Sequence, residues 1–441
     1  MITRKISGIF LFLIFFIAVC SPLAAAQSPE SFRAVGVTLL PFTGPGENTS
    51  YALHVADNGQ LVTLNSRNGP GLFAFDSNGS FLWSKTLSAE QQPWISSVSI
   101  APGAQDLIVT QLVPACCHGS VTNTSSNKVI LIDRTGTEAW EYPTMNPPLS
   151  SGISSSGQDF FIGTDDGRIL SLDHNGTVRW TTPMEAPVTS FAISRDGNTI
   201  VATGESNYYY HNLYDEPLNP ADMFVLDRNG TLLWDYQTGG LNAAAVSDDG
   251  SVIAVIEERS GNVLVFNRSG SRVAVRSLGG VSSALALSHD GNLIIAETQG
   301  GTVYGLDRTG TTLWTITADS GSRGIAISGD DNNIIIGNGR SVALFDCRGN
   351  QIGDYLTDGQ ILVVEPARDF RMVVAGTDRS LVFLSQNKPV EEAEMSAGTP
   401  VITIPVNATV PQTSMKAPVD PVITILALAG NALGMIIFRK K

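Results

Sequence analysis

The stretch LDRTGTTLW, residues 306–314, is one of five near-copies in the chain. LDRNGTLLW ends at Trp234, LDHNGTVRW at Trp180, IDRTGTEAW at Trp140 and FDSNGSFLW at Trp83. Aligned on the Asp, the copies place Asp76, Asp133, Asp173, Asp227, Asp307 and Asp346 in one column. Asn267 of FNRSGSRVA and Ser385 of FLSQN fill the same column. Successive intervals are 57, 40, 54, 40, 40, 39 and 39 residues, a 40-residue period with extra residues in the second and fourth units only. A period of that size marks a repeat architecture.

Each unit holds four short β-type runs, in the fourth SFAIS, TIVATG, MFVLD and LLWDYQT. The first turn of a unit is Asp-Gly-rich (SRDGN, SDDGS, SHDGN, SGDDN), and the last is the Asp-x-x-Gly of the nonapeptide. Asp caps backbone amides two residues on and Gly supplies positive φ, so both are hairpin turns. Four-stranded units of about 40 residues are propeller blades. Eight first strands are expected, near Tyr51, Ile95, Ser150, Ser190, Asn242, Ser283, Arg323 and Ile361. The eighth unit ends after its third strand, and FRAVGVTLL (residues 32–40) supplies the fourth, leaving no open edge. The fold expected is all-β: one eight-bladed propeller within residues 27–387, with seven blades as the alternative. Trp83, Trp140, Trp180, Trp234 and Trp314 then dock each blade on its neighbour.

A Gly turn paired with a docking Trp on the outer strand resembles the quinoprotein-dehydrogenase-like (PQQ-like) propellers over residues 32–387. Many secreted archaeal surface proteins are similar. WD-repeat propellers share the period, but their Trp-Asp pair is absent at these positions. Units five and seven depart from the pattern, with Ala274 and Gly353 in place of Trp.

Both ends of the chain carry targeting signals. Arg4 and Lys5 precede an apolar run, residues 6–19, and Ala24-Ala25-Ala26 offers a cleavage site, so residues 1–26 read as a signal peptide. Cys20 offers lipidation as an alternative, for which Val19 is a poor neighbour. Residues 388–420 are rich in Pro, Thr, Val and Ala, begin with Glu391, Glu392 and Glu394, and read as an extended stalk. Residues 421–438, eighteen positions at ~1.5 Å rise, make a helix of about 27 Å, near the ~30 Å apolar thickness of a bilayer. The basic residues 439–441 would stay cytoplasmic, with the propeller outside. A processed sorting signal has a similar layout.

Without residues 1–26, which hold two basic residues and no acid, the net charge of −14 becomes −16. That acidity opposes binding to a phosphate backbone, so nucleic acid is not an expected partner.

With the first strand innermost, the turns joining strands one to two and three to four share one face. The loops joining strands two and three share the other. Both insertions, LVPACCHGSVTNTSSNK and ESNYYYHNLYDEPLNPAD, are of that second kind and rise from one face. Long loops on a rigid frame are where binding residues concentrate. Tyr208, Tyr209, Tyr210, His211 and Tyr214 make the second insertion aromatic, suited to sugars or to a protein; His118 joins them as a binding candidate from the first. The sequons at Asn78, Asn175, Asn229 and Asn267 fall in outer turns on the opposite face. Asn48 lies near the start, Asn123 in the first insertion and Asn407 in the stalk.

Cys116 and Cys117 are adjacent, and in an oxidising exterior such a pair can close a strained vicinal disulfide. The quinoprotein alcohol dehydrogenases carry one over their quinone, so the resemblance implies the same role here, with PQQ and calcium as cofactor. The rest of that site is not recognisable: the first strands are small and neutral, and only His54 and Glu365 break the pattern. Adjacent cysteines are poorly spaced for zinc, even with His118 and His211. No nucleophile elbow is present, His174 and His289 sit in turns, and no bidentate Glu follows the Asp-rich turns at calcium-loop spacing. The function expected is a membrane-anchored, extracellular binding scaffold for a surface protein or glycan, without catalysis, metal or cofactor. The alternative is a quinoprotein dehydrogenase.

Overall fold

A computed structural model describes residues 32–39, 51–66, 71–87, 94–112, 127–184, 186–204, 222–237, 241–257, 260–318 and 324–386. It also gives the backbone of 401–402, 423–428 and 433–438. Seven sheets of four consecutive antiparallel strands cover residues 51–86, 94–143, 148–183, 188–236, 241–276, 282–317 and 325–356. The eighth is built from Ile361–Pro366, Met372–Thr377 and Ser380–Gln386, with Phe32–Leu39 as its fourth strand. There are therefore eight blades, not seven.

The closing strand runs antiparallel to the third, from Phe32 opposite Gln386 to Leu39 opposite Ser380. Side-chain bonds join this blade to blade 1: Thr38 Oγ1 donates to the Gly79 carbonyl (2.8 Å), and Tyr51 Oη of blade 1 donates to the Thr377 carbonyl (2.6 Å). Burial, and then the nearby Asp378, push the Tyr51 phenol far above its ordinary range, so it stays a donor. With both chain ends of the ring in one sheet, residues 32–386 form a self-contained unit.

The first strands of neighbouring blades touch one another, so they are innermost. The middle strands are buried on both faces, as in Val252–Glu257 and Gly71–Phe75. Eight apolar clusters result among the described residues, one between each pair of neighbours. Leu53, Phe75, Val374 and Phe383 join blades 8 and 1; Phe161, Ile169, Phe191 and Phe224 join blades 3 and 4. No blade has a core of its own.

The nonapeptide's chemistry is explicit in its turns. Asp76 Oδ1 accepts the amides of Asn78 and Ser80 (both 2.8 Å), and Gly79 at φ +79° closes the turn onto the Asp76 carbonyl. Each Trp-bearing outer strand then carries a bulge one residue before its Trp, as at Leu82, where the register shifts between Ala74 and Phe75. The bulge aims the indole sideways at the next blade. Trp83, Trp140, Trp180, Trp234 and Trp314 donate Nε1–H to the carbonyls of Arg134, His174, Arg228, Arg268 and Cys347, at 2.9–3.1 Å. Each ring lies flat on the turn glycine of that next blade. A Cβ added to Gly230 would meet Trp180 at 2.4 Å, and one on Gly270 would meet Trp234 at 2.8 Å. Half of an indole's ~200 Å² buried at ~25 cal/mol per Å² is worth about 2.5 kcal/mol per junction.

Ile423–Leu428 pairs antiparallel with Leu433–Phe438, two six-residue runs separated by Gly430-Asn431, a hairpin-type dipeptide. Among the described residues no helix is long and apolar enough to cross a membrane. Val401–Ile402 pairs parallel with Val37 and Thr38, adding a fifth strand to the closing blade.

Trp180→Ala should lower unfolding stability by about 2–3 kcal/mol, read by denaturant titration, with the β-type circular dichroism spectrum retained. Loss below about 0.5 kcal/mol would show that the indole only covers the turn.

Candidate functional site

The two faces of the ring differ in kind. On the face bearing the long loops, residues 113–126 and 205–221 join strands two and three of blades 2 and 4. Cys116, Cys117, His118 and Asn123 fall in the first of these segments and Tyr208, Tyr209, Tyr210, His211 and Tyr214 in the second, all outside the described residues; Asn48 and Asn407 are likewise outside the described residues. The roots of both loops are defined. Asn127 C=O accepts the Thr144 amide (2.9 Å), and the Gly204 amide donates to Asp222 C=O (2.8 Å). A Cβ on Gly204 would strike the Pro187 carbonyl at 2.5 Å, so the second loop leaves its blade through a passage only glycine permits.

Polar groups are buried at this end of the blades. Asn65, Gln111, Asp222 and Glu297 are all nearly or fully buried there, and Asn65 Oδ1 has no hydrogen-bond partner among the described residues. Glu297 and Asp222 escape a motif search because each is a lone acid beside an apolar run, LIIAET and DMFVL. Such an acid in a run that the period assigns to a buried strand is the only sign of them in the sequence.

His54 and Glu365 fall on the adjacent first strands of blades 1 and 8, half-buried, and both are engaged in interactions. A quinone with calcium needs several carboxylate and amide donors converging on the axis. The described first strands supply small side chains around this one pair, and no three His, Cys, Asp or Glu residues converge among the described residues. The donors among the described residues do not make that ligand set. Cys347 is disulfide-bonded; the chain's other cysteines, Cys20, Cys116 and Cys117, lie outside the described residues.

The opposite face is a closed rim. Every first turn has the same geometry, with a positive-φ residue at its fourth position: Gly59, Ala104, Gly157, Gly197, Gly250, Gly291, Asp331 and Phe370. The second positions, Asp57, Pro102, Ser155, Arg195, Asp248, His289, Gly329 and Arg368, form an inner ring. Amides pass around it from Arg368 to Asp57, Gly329 to Arg368, Asp248 to His289 and Asp196 to Asp248, at 2.6–3.2 Å. Asp331 accepts the His289 and Asp290 amides and the His289 Nδ1 (2.7, 3.0 and 2.8 Å), and Ser155 Oγ donates to Arg195 C=O.

One ion pair ties distant members of this ring together. Arg368 Nη2 lies 2.5 Å from Asp248 Oδ2, linking blade 8 to blade 5 past two intervening turns. Its side chain crosses blade 7 at Gly329, where a Cβ would stand 2.8 Å from Arg368 Cγ. The Gly in SGDDN, where sister turns have Arg, Asp or His, is what lets the guanidinium through. Asn78, Asn175 and Asn229 are exposed on the outer turns of this same face. Asn267 instead caps its turn, Oδ1 accepting the Ser269 and Ser271 amides (3.1 and 2.9 Å).

The turn carboxylates here are held ionised. Burial acts to raise Asp196, Asp290 and Asp330, but the hydroxyls of Ser194, Ser288 and Ser328 and the turn amides outweigh it and keep all three below the ordinary Asp range. For Asp249 the Ser251 amide is the largest influence, again downward.

This architecture, with four-stranded blades, an indole on each turn glycine and a borrowed closing strand, is that of the PQQ-like propellers. The family model described as outer membrane protein assembly factor BamB matches residues 125–284 and 225–367, more than half of the chain, and the chain belongs to that family. The crystal structure of BamB from Moraxella catarrhalis is similar over 77% of this chain and 99% of its own, at 18% identity and a TM-score of 0.54. The C-terminal WD40 domain of Sif2 is similar over 81% of this chain and 99% of its own, at 9% identity and a TM-score of 0.58. At those identities the likeness is one of fold. No curated protein matches the chain in sequence.

Because the turn carboxylates bind protons more weakly folded than unfolded, their stabilisation is complete above the unfolded value of about 4 and is lost as pH falls through the lower folded values. Stability measured by urea titration should therefore hold level from pH 7 to about 5 and decline steeply below about 4; a level profile down to pH 2 would contradict the assignment. Separately, Arg368→Ala should cost about 1 kcal/mol, the pair being half-exposed. The exchanged pair Arg368→Asp with Asp248→Arg should recover part of that loss.

Proposed function

We propose that the protein is a non-catalytic binding scaffold that engages a surface protein or glycan through the face carrying residues 113–126 and 205–221. The observation that carries this reading is the division of the ring into unlike faces. One is sealed by short, mutually hydrogen-bonded turns; the other sends out two long loops from rigid roots, two blades or about 90° apart. Membership of a family described as an assembly factor supports the same reading, since assembly proceeds through protein contacts. The tyrosines and His211 of the second loop, with His118 of the first, supply the contact groups, large in area and low in entropy cost.

The reading includes export past residues 1–26 and anchoring by residues 421–438, as in the archaeal surface proteins that the repeats resemble. A two-stranded pair leaves edge amides and carbonyls unsatisfied in lipid, whereas a helix satisfies them all internally. A bilayer would therefore drive those eighteen residues into a helix. On this arrangement Asn78, Asn175 and Asn229, exposed on the sealed face, are open to glycosylation without obstructing the binding face.

One set of preparations tests this. Full-length protein, protein lacking residues 421–441, and protein with 205–221 replaced by a Gly-Ser linker are compared by membrane fractionation, glycan and surface-partner capture, native mass spectrometry and visible spectrum. The truncated form should leave the membrane fraction. The loop-replaced form should keep its thermal transition within about 3 °C and lose at least tenfold in partner capture. A bound quinone or stoichiometric calcium in the native mass would instead establish the dehydrogenase reading, with Cys116 and Cys117 beside the cofactor.

A further inference from the structure

Blade 5 breaks the docking pattern, and its outer strand carries two arginines and no acid in a chain of net negative charge. At the position of the indole stands Ala274, opposite Val265, so the Arg308 carbonyl in the next blade's turn receives no donor among the described residues. The Gly310 of that turn is covered instead by Ala274 and Arg276, whose Cβ atoms would lie 3.2 and 3.6 Å from an added Cβ. Arg276 reaches the turn with its Nε buried and without a hydrogen-bond partner.

Residues 260–289 contain Arg268, Arg272 and Arg276 and no acid, in a chain of net charge −14. The flanking outer strands, Leu232–Tyr236 and Thr312–Thr317, contribute one acid, Asp235. Arg272 donates to the Tyr236 hydroxyl (2.9 Å) and Arg268 to the Asn198 carbonyl (3.4 Å), and Arg308 is exposed. None of these four guanidiniums is ion-paired among the described residues. Val273 and Val275 alternate with the arginines, each 51% exposed, along an edge whose outward backbone groups are unpaired in the sheet.

We infer that this edge is a docking site for an acidic, extended segment, and that the segment is residues 389–396 of a second copy of the chain. Those residues read PVEEAEMS, with Glu391, Glu392 and Glu394 among the apolar Val390, Ala393 and Met395. Extended chain rises ~3.3 Å per residue, so Glu391–Glu394 spans about 10 Å and Arg272–Arg276 about 13 Å, a match in length as well as in sign. Outer-edge addition already occurs in this molecule, where Val401–Ile402 pairs with the closing strand. The acidic run cannot reach blade 5 of its own ring. It starts five residues after Gln386 in blade 8, about 17 Å of chain. Blade 5 is three inter-sheet steps away, at ~10 Å or more each. A second copy meets no such limit, and a head-to-tail contact of this kind builds chains or rings on a surface. This inference concerns the outer rim and stands apart from the binding face proposed above.

The test uses residues 27–387, the closed ring, and residues 27–398, which add the acidic run. Sedimentation should show 27–387 monomeric and 27–398 self-associating, with association falling at least tenfold between 50 and 500 mM NaCl. A capped peptide of residues 388–396 should bind 27–387 and compete the association away. Arg272→Glu with Arg276→Glu should weaken both by at least tenfold while the thermal transition stays within about 5 °C. Should that pair disturb folding, Glu391→Gln with Glu392→Gln and Glu394→Gln, outside the ring, asks the same question. A monomeric 27–398, association that survives either set of changes, or peptide binding without self-association would each overturn the assignment.

Discussion

The structure depends on one repeated contact, the face of an indole against a glycine one blade away. Five of the eight junctions have it, and in each the indole N–H also satisfies a turn carbonyl. The contact demands three things of the sequence at once. An Asp must hold the turn, a Gly must leave its face bare, and a bulge must rotate the Trp out of the blade's own plane. A sheet with both faces buried has no hydrophobic reason to stop at any number of neighbours, and here the ring closes at eight.

Because the core is divided into eight interfaces, no blade is stable alone, and the ring is only as secure as its weakest joint. Blade 8 compensates for being assembled from two chain ends with the bond from Thr38 to blade 1, the bond it receives from Tyr51 of blade 1, and the Arg368–Asp248 tie. Gly36, at the Trp position of that blade, approaches Asn78 so closely that an added Cβ would sit 2.0 Å from its carbonyl oxygen. The borrowed strand therefore lies tighter on its neighbour than any Trp would allow. Junctions 5–6 and 7–8, with Ala274 and Gly353, lack the indole.

The same frame explains why the two faces can have separate fates. Turns of five residues are fully occupied in capping themselves and in bonding their neighbours, and acid-resistant carboxylates keep them so at neutral pH. The loops between strands two and three have no such duty. Insertions accumulate there because they cost the ring nothing once their roots, at Asn127 and at Gly204 with Asp222, are tied.

Blade number, strand order, the borrowed fourth strand and the docking role of Trp83, Trp140, Trp180, Trp234 and Trp314 follow from a local code, since a hairpin turn and its bulge are decided within nine residues. Two first strands start two positions before the pattern indicates, at Pro148 rather than Ser150 and Val188 rather than Ser190, because the bulge near the beginning of each of these two is invisible to alternation. The tertiary structure alone decided what depends on residues far apart in the chain. Arg368 meets Asp248 across 120 positions, Gly329 opens the path between them, and Asp222 and Glu297 are buried at one end of the ring. No periodicity encodes such meetings, because they arise only when the eighth blade returns to the first.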